Sequence, residues 1–244
     1  DMDGVGVNSL EVTDNVTGVV VTENTGNLAA LNLNTLAGDD VVNVNVGPGG
    51  GGVGDLIAPR IVYAGGTGGD LLNVLGVPAV SVVTNTVYTI GTDPSSGRID
   101  YGTAAAPADL TGATLTGAMQ IEFTGLEPVV DVVPSAALII NANNADNAIS
   151  YQPGVVNAVA NGLVAIDNSE TYEFSNKVTL TINALGGSDE VSLNNPNTPT
   201  GLTGITVNGG DPTAGSDRAI ISGVAGVADA INFAVTTDDD AVAT

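Results

Sequence analysis

The chain has 244 residues, 43% of them hydrophobic, so it can bury a substantial core and is not expected to be disordered. Its 27 acidic residues face only Arg60, Arg98, Lys177 and Arg218, and the formal net charge of -23 argues against binding to nucleic acid or to an anionic membrane surface. The chain contains no Cys and no His, which excludes disulfides, thiolate chemistry and His-based acid–base catalysis.

Short alternations of apolar and polar residues follow one another along the chain. They include "LAALNLN", "DVVNVNV", "DLLNVLG", "TVYTIG", "MQIEFTG", "ALIINAN", "NAISYQPG", "KVTLTIN", "EVSLNN", "GITVNGG" and "RAIISG". A period near two predicts β-strands, and the Gly, Pro and Asn-Asp clusters between these stretches predict turns. No window carries the apolar stripe of a helix, and no apolar run reaches the roughly 18 residues of a membrane span. The sequence therefore predicts an all-β fold.

An internal repeat relates two parts of the chain. The stretch "LNLNTLAGDDVVNVNV" at 31–46 aligns with "LTINALGGSDEVSLNN" at 180–195, and "IVYAGGTGGD" from Ile61 aligns with "ITVNGGDPTAGSD" from Ile205. The alignment places Leu31, Leu33, Val42 and Val44 at the positions of Leu180, Ile182, Val191 and Leu193. The period is about 144 to 150 residues. We therefore expect a first repeat copy at 1–134, a partial second copy at 135–244 that continues it, and a longer tandem array from which the chain is a window.

Two all-β architectures fit this pattern. In a parallel β-solenoid, each coil contributes short strands whose inward side chains stack on those of neighbouring coils, with Gly, Asn and Asp at the corners. Tandem β-sandwich modules would also alternate strands with turns. Because the strands are short and rich in Val, Leu and Ile, and only 3% of the residues are aromatic, we predict a parallel β-solenoid or β-helix repeat, with sandwich modules as the alternative.

The phrases "IEFTGLEPVVDVVP", "YEFSNKVTLTINALGGSDEVSLNNPNTPTGLTGITVNGGDP" and "GDDVVNVNV" resemble segments of very long, repeat-rich bacterial surface and secreted proteins. The resemblance implies an extracellular or cell-surface location and a structural role in a filament, sheath, surface layer or adhesin stalk. Open coil faces at both ends predict end-to-end self-association. A cell-surface polysaccharide is a candidate partner, whereas we expect neither nucleic-acid binding nor membrane insertion.

A looser resemblance is to calcium-binding repeats-in-toxin solenoids, whose nonapeptide is G-G-x-G-x-D followed by an apolar residue. The segment "GGTGGDLL" places Gly65, Gly66, Gly68 and Asp70 on this pattern, although the nonapeptide does not recur in tandem. Calcium binds carboxylate and carbonyl oxygens, which Gly-Asp turns supply together. The candidate ligands are Asp39, Asp40, Asp70, Asp189, Glu190 and Asp217. The alternative is an Asx turn, in which Asp accepts a hydrogen bond from the backbone two residues on and needs no ion.

Parallel β-helices also host polysaccharide-degrading enzymes that use paired carboxylates, for which Asp100, Glu122, Glu170 and Glu173 are the candidates. The chain has no His or Trp, four Lys and Arg residues, and few aromatic residues to stack on sugar rings. We therefore expect no enzymatic function and assign no catalytic or cofactor-binding residue. The predicted function is structural. A calcium-stabilised adhesion or binding module is the first alternative, and a carbohydrate-active β-helix enzyme is the second.

Overall fold

The computed structural model describes residues 11–13, 30–47, 56–57, 60–79, 81–103, 119–194, 198–210 and 216–223. These residues form strands and turns, and none of them belongs to a helix that could cross a membrane. The strands are β1 (Glu11–Thr13), β2 (Ala30–Asn34), β3 (Val41–Asn45), β4 (Arg60–Ala64), β5 (Leu71–Leu75), β6 (Asn85–Ile90), β7 (Ser96–Gly102), β8 (Met119–Thr124), β9 (Val129–Asp131), β10 (Ser135–Asn141), β11 (Ala148–Pro153), β12 (Gly162–Ile166), β13 (Tyr172–Phe174), β14 (Lys177–Asn183), β15 (Glu190–Leu193), β16 (Gly204–Asn208) and β17 (Arg218–Ile221). The predicted all-β class is confirmed.

The strands are arranged in two mixed sheets. The nine-stranded sheet has the order β1-β3-β5-β9-β13-β12-β11-β15-β17, and the eight-stranded sheet has the order β16-β14-β10-β6-β7-β8-β4-β2. Towards both ends of the sheets, the chain passes from one sheet to the other with each strand, as from β2 to β3 and from β14 to β15. Strands that follow each other there do not pair. Each lies parallel to the next strand of its own sheet, as β2 does to β4, except β1, which is antiparallel to β3.

The parallel ladders align apolar residues with apolar residues. Leu31 of β2 lies opposite Ile61 of β4, and Leu180 of β14 lies opposite Ile205 of β16. Because side chains alternate along a strand, this register gives every strand of a ladder the same inward face. The eight positions that the repeat alignment relates all contribute to the core, either buried or packed against it.

Two antiparallel meanders interrupt these ladders. Strands β6, β7 and β8 form one meander in the eight-stranded sheet, and β11, β12 and β13 form the other in the nine-stranded sheet. The outer strands of each meander rejoin the parallel pattern, because β6 lies parallel to β10 and β13 lies parallel to β9. The sheets are therefore mixed, which the alternation of residues did not predict.

The two sheets face each other across one hydrophobic core. A single cluster contains buried residues of both sheets, from Val42 in β3 to Val191 in β15. The five tyrosines of the chain are all buried, and Tyr88 of the eight-stranded sheet stacks on Tyr172 of the nine-stranded sheet with ring centroids 4.8 Å apart. The aromatic residues thus concentrate where the two meanders overlap, in the middle of the core.

Candidate functional site

Four of the connections from the eight-stranded to the nine-stranded sheet form two stacks of similar turns, one towards each end of the sheets. We call residues 35–40, 65–70 and 184–189, together with 209–210 and 216–217, the Gly-Asp turns. They stack because the strands on both sides of each turn are parallel neighbours. The backbone of Thr67 illustrates the contact, since its N–H donates to Leu36 O at 3.0 Å and its carbonyl accepts from Gly38 N at 2.9 Å.

The aspartates of these turns bond to the neighbouring turn. The Oδ1 atom of Asp70 accepts from Asp40 N at 3.0 Å, and Oδ1 of Asp217 accepts from Asp189 N at 3.0 Å. Asp39 bonds in the opposite direction along the stack, because its Oδ1 accepts from Gly69 N at 2.9 Å. Each carboxylate therefore joins two successive turns.

The bonds that Asp39, Asp70 and Asp217 accept reach a neighbouring turn and are not the Asx-turn bond to the backbone two residues on, which asparagines make. Asn34 Oδ1 accepts from Leu36 N at 3.1 Å, and Asn143 Oδ1 accepts from Ala145 N at 2.8 Å. Asparagine satisfies its own turn, and aspartate is left free to reach the next one.

Glycine is required where the turns approach each other. A Cβ atom on Gly66, whose φ is +100°, would lie 1.6 Å from Leu36 O, and one on Gly210, whose φ is +96°, would lie 1.6 Å from Leu185 O. A Cβ atom on Gly65 would lie 2.7 Å from Asp70 Oδ2. The Gly-Gly pairs that resemble a calcium-binding motif are thus explained by close stacking of the backbone.

The second oxygen of several of these carboxylates is buried. In the described part of the chain, the Oδ2 atoms of Asp40, Asp70 and Asp189 have no hydrogen-bond partner, and the exposed fractions of Asp70 and Asp189 are 0% and 2%. Burial raises the pKa of Asp189, and the negative charge of Asp217 adds to the rise, while the Asn147 N–H opposes it. Buried oxygens without a partner are the feature of this site that most resembles a set of cation ligands.

The structure brings the six predicted calcium ligands together only in part. Asp39, Asp40 and Asp70 lie in the turns between β2 and β5, and Asp189, Glu190 and Asp217 lie towards the other end of the sheets. Glu190 is exposed and pairs with Arg218 at 3.0 Å. Among the described residues, no three His, Cys, Asp or Glu side chains form a group that could hold a metal ion.

The four carboxylates considered for catalysis have separate environments. Asp100 accepts bonds from Arg98 Nε and Gln120 Nε2, both at 2.7 Å, and Glu122 pairs with Arg60 at 2.9 Å. Glu173 is fully buried beneath the loop between β11 and β12, whose backbone N–H groups bond to its carboxylate. These three side chains therefore have structural partners.

Glu170 lines a cleft of about 390 Å³ and, unlike the other three, has no basic side chain or loop of backbone N–H groups among the described residues bonded to its carboxylate. Glu127 lies in the same cleft, which is formed by the β6–β7 turn, the β12–β13 turn and the segment before β9. Burial raises the pKa of Glu170 to about 7, and the Glu127 charge contributes to the rise. The hydrogen bond from Thr171 N to the Glu170 carboxylate, at 2.8 Å, acts against it.

A buried ion pair was missed by the sequence analysis. Lys177 Nζ lies 2.8 Å from Asp131 Oδ2, and both side chains are fully buried. The alternation of β14 predicts the wrong face for Lys177, since Val178 has the phase of Leu180 and yet is 46% exposed. The only available signal was that Lys177 is the single lysine of the chain and begins an apolar strand.

Comparison of the sequence with protein-family models finds no matching family, and no curated protein and no solved structure matches the chain.

Proposed function

We propose that the chain is a non-catalytic structural element of an extracellular or cell-surface assembly, such as a filament, sheath, surface layer or adhesin stalk. Its two sheets are then stacked coils of a β-solenoid into which the two meanders are inserted. Each coil contributes one strand to each sheet and one turn to a stack of turns. The extracellular location comes from the resemblance to repeat-rich surface proteins, and the coil arrangement is supported by the contacts below.

The recurrence of one inter-turn bond carries this proposal. The bond from Asp40 N to Asp70 Oδ1 links residues 30 apart, and the bond from Asp189 N to Asp217 Oδ1 links residues 28 apart, both at 3.0 Å. The first turn of each pair also holds a leucine with positive φ, Leu36 at 73° and Leu185 at 77°. Shared strained geometry at aligned positions favours a duplicated coil over two unrelated turns.

Asparagine ladders give independent support. Asn183 Nδ2 donates to Asn141 Oδ1 and Asn208 Nδ2 donates to Asn183 Oδ1, both at 2.8 Å. Asn73 Nδ2 donates to Asn43 Oδ1 at 2.9 Å in the other sheet. Each added coil would extend such a ladder by one side-chain amide, and the last amide would keep a donor or acceptor for the next coil. This is expected of a fold built from stacked, similar coils.

The last strands of both sheets favour end-to-end contact. Strands β16 and β17 occupy the ends of their sheets, and their inward residues Ile205 and Ile221 are 38% and 43% exposed in the described structure. Leu180, which lies opposite Ile205 in the preceding strand, is fully buried. A further coil on these strands would bury the isoleucines and pair the strand edges.

Assembly can be tested with the purified chain by sedimentation velocity and electron microscopy over a range of concentrations. We expect rods whose length grows with concentration. The double variant Ile205→Asp, Ile221→Asp should shorten them, because it places charge on the contact face. The control Val159→Asp changes a valine that is 80% exposed in a loop and should leave them unchanged. A chain that remains monomeric, with no rods at any concentration, contradicts the assembly proposal.

A calcium-stabilised adhesion or binding module is the second candidate. It is favoured by the buried and unpartnered Oδ2 atoms of Asp70 and Asp189, which a cation between turns would satisfy. It is weakened by the pairwise spacing of the carboxylates, since calcium requires about six to eight oxygen ligands. Melting in calcium, in chelator and in magnesium separates the two candidates.

A further inference from the structure

Asp131 and Lys177 are in contact across the core and belong to different sheets. Asp131 ends β9 in the nine-stranded sheet, and Lys177 begins β14 in the eight-stranded sheet. The distance from Nζ to Oδ2 is 2.8 Å, and neither side chain is exposed to solvent. A link between these residues would join the two sheets through their side chains.

The surroundings hold both groups in a fixed orientation. Asp131 Oδ1 accepts from Val133 N at 2.9 Å, and Oδ2 accepts from the Tyr172 hydroxyl as well as from Lys177. Lys177 Nζ also donates to Val133 O and lies 5.9 Å from the centre of the Tyr101 ring. Both tyrosines are fully buried, so aromatic rings keep water away from the pair.

We propose that Lys177 and Asp131 form an intramolecular amide bond, so that the folded chain carries a covalent cross-link between its two sheets. The Nζ atom attacks Cγ of Asp131, the new C–N bond replaces one C–O bond, and the departing oxygen leaves as water. An amine and a carboxylic acid give an amide and one water molecule, so the step requires no oxidant, cofactor or second substrate.

The site favours each part of this reaction. Proton transfer from the ammonium to the carboxylate yields the neutral amine and neutral acid that react, and a dehydrated core favours this uncharged pair more than water does. Burial lowers the pKa of Lys177, against the opposing effect of the Asp131 charge. The Tyr172 hydroxyl already donates to Oδ2, where it can supply a proton to the departing oxygen.

Contact and dehydration replace the activation that amide formation needs in solution. Holding amine and carboxyl in van der Waals contact makes the attack intramolecular, which greatly raises its rate. Exclusion of water from the core also prevents hydrolysis of the product. The other ion pairs of the described chain involve Arg60, Arg98 and Arg218, whose guanidinium groups are protonated and unreactive as nucleophiles. The cross-link is thus confined to the only lysine of the chain.

The intact mass of the purified, folded chain tests the proposal. We expect a mass lower than that of the sequence by one water molecule. Trypsin should then fail to cleave after Lys177, leaving residues 99–218 as one fragment, because the amidated side chain is not recognised. The full sequence mass, or cleavage after Lys177 in the denatured chain, would overturn the proposal.

Variants assign the loss of water to this pair. Lys177→Met should have the full mass calculated from its own sequence. Succinimide formation at Asp3-Gly4 also removes one water molecule, and a loss of water that persists in this variant would have that origin. Asp131→Asn should release ammonia in place of water, so that the linked variant and the linked wild type have identical masses. An Asp131→Asn chain that loses water would contradict attack at this carbon.

Tyr172→Phe tests the role of the hydroxyl when the chain is isolated unfolded, before a cross-link has formed, and is then allowed to fold beside the wild type treated in the same way. The cross-link should form more slowly in this variant, as followed by mass over time. An unchanged rate would exclude Tyr172 as the acid. These measurements do not depend on rod formation, so the cross-link can fail while the proposed structural function stands, and the reverse also holds.

Discussion

Glu173 holds the loop between β11 and β12 through a single buried carboxylate. Its oxygens accept bonds from the N–H groups of Val155 at 2.8 Å, Val156 at 2.9 Å and Asn157 at 2.9 Å, and from Asn161 Nδ2 at 2.8 Å. The Glu173 side chain is fully buried, so water cannot replace these bonds in the folded state. This carboxylate should therefore be among the most sensitive polar positions of the protein.

The substitution Glu173→Gln preserves the shape of the side chain and removes its charge. Each oxygen accepts two of the four bonds, so an NH₂ group in place of either oxygen replaces two of them by donor-to-donor contacts. A hydrogen bond to a charged group contributes about 1.5–3 kcal/mol, and a buried donor without an acceptor costs about 1–3 kcal/mol. We expect the free energy of unfolding to fall by about 3–5 kcal/mol, because the effects at one carboxylate are not additive.

Glu122→Gln is the matched control. Glu122 pairs with Arg60 at 2.9 Å, but the side chains are 35% and 47% exposed, and an exposed pair contributes about 0–1 kcal/mol. Both variants can be unfolded in guanidinium chloride and followed by far-ultraviolet circular dichroism, with the slopes compared to detect changes in the denatured state. Equal losses of stability in the two variants, within about 0.5 kcal/mol, would refute the assigned role of Glu173.

Gly66→Ala should lower the free energy of unfolding by several kcal/mol, because the new Cβ would lie 1.6 Å from Leu36 O and the φ of Gly66 is +100°. The control Gly204→Ala has open space around its Cβ and should change the free energy of unfolding by about 0.5 kcal/mol or less in the same assay. Burial raises the pKa of Glu170 from 4.5 to about 7, so the folded chain binds more protons between these pH values. The free energy of unfolding should therefore fall as the pH rises through that window, and this fall should be smaller in Glu170→Gln. The calcium-stabilised alternative predicts a higher melting temperature in calcium than in magnesium at matched ionic strength, with about 2.7 kcal/mol of added stability per site at 100 times the dissociation constant. Identical melting in calcium, magnesium and chelator would remove that alternative.

The strands and turns could be predicted because both depend on local chemistry. Alternation at Val42 and Val44 correctly placed these residues in the core, and the Gly-Asp stretch before them correctly marked a turn. Period two follows from the geometry of any extended strand, and glycine and aspartate favour turns whatever lies beyond them. The all-β class required no knowledge of which strands pair.

The pairing itself could not be predicted in this way. A turn that closes a hairpin and a turn that leads to the opposite sheet use similar residues. The stretch from Gly91 to Ser96 closes the β6–β7 hairpin, with Gly91 N donating to Ser96 O at 2.9 Å, whereas residues 35–40 lead from one sheet to the other. A strand with alternating apolar and polar residues can pair in parallel or antiparallel fashion. The alternation in the sequence therefore does not distinguish the two meanders from the parallel ladders.

The sequence identified residues of the Gly-Asp turns but not the contacts that these residues make. Asp70 and Asp217 were identified, but their bonds go to Asp40 N and Asp189 N, which lie 30 and 28 residues away in sequence. Sequence spacing identifies the turns that carry aspartates, but it does not show that the carboxylates bond to the backbone of the neighbouring turn. Lys177 escaped notice because the alternation of β14 changes phase before Leu180, which buries the lysine and exposes Val178.

The net charge of -23 is explained in part by the hydrogen bonds of the acidic side chains. Many of the acidic side chains are not a solvated surface, because they accept bonds from backbone N–H groups between turns, as Asp70 does, or beneath a loop, as Glu173 does. A chain whose carboxylates accept hydrogen bonds from the backbone needs few basic residues to pair with them. The three arginines pair with Glu122, Asp100 and Glu190. The one lysine differs from the arginines because it is fully buried and pairs with Asp131 between the sheets. A buried ion pair is a weak source of stability, whereas a covalent bond at the same place would fix the sheets together under load, which is the demand that a stalk or filament makes on its subunits.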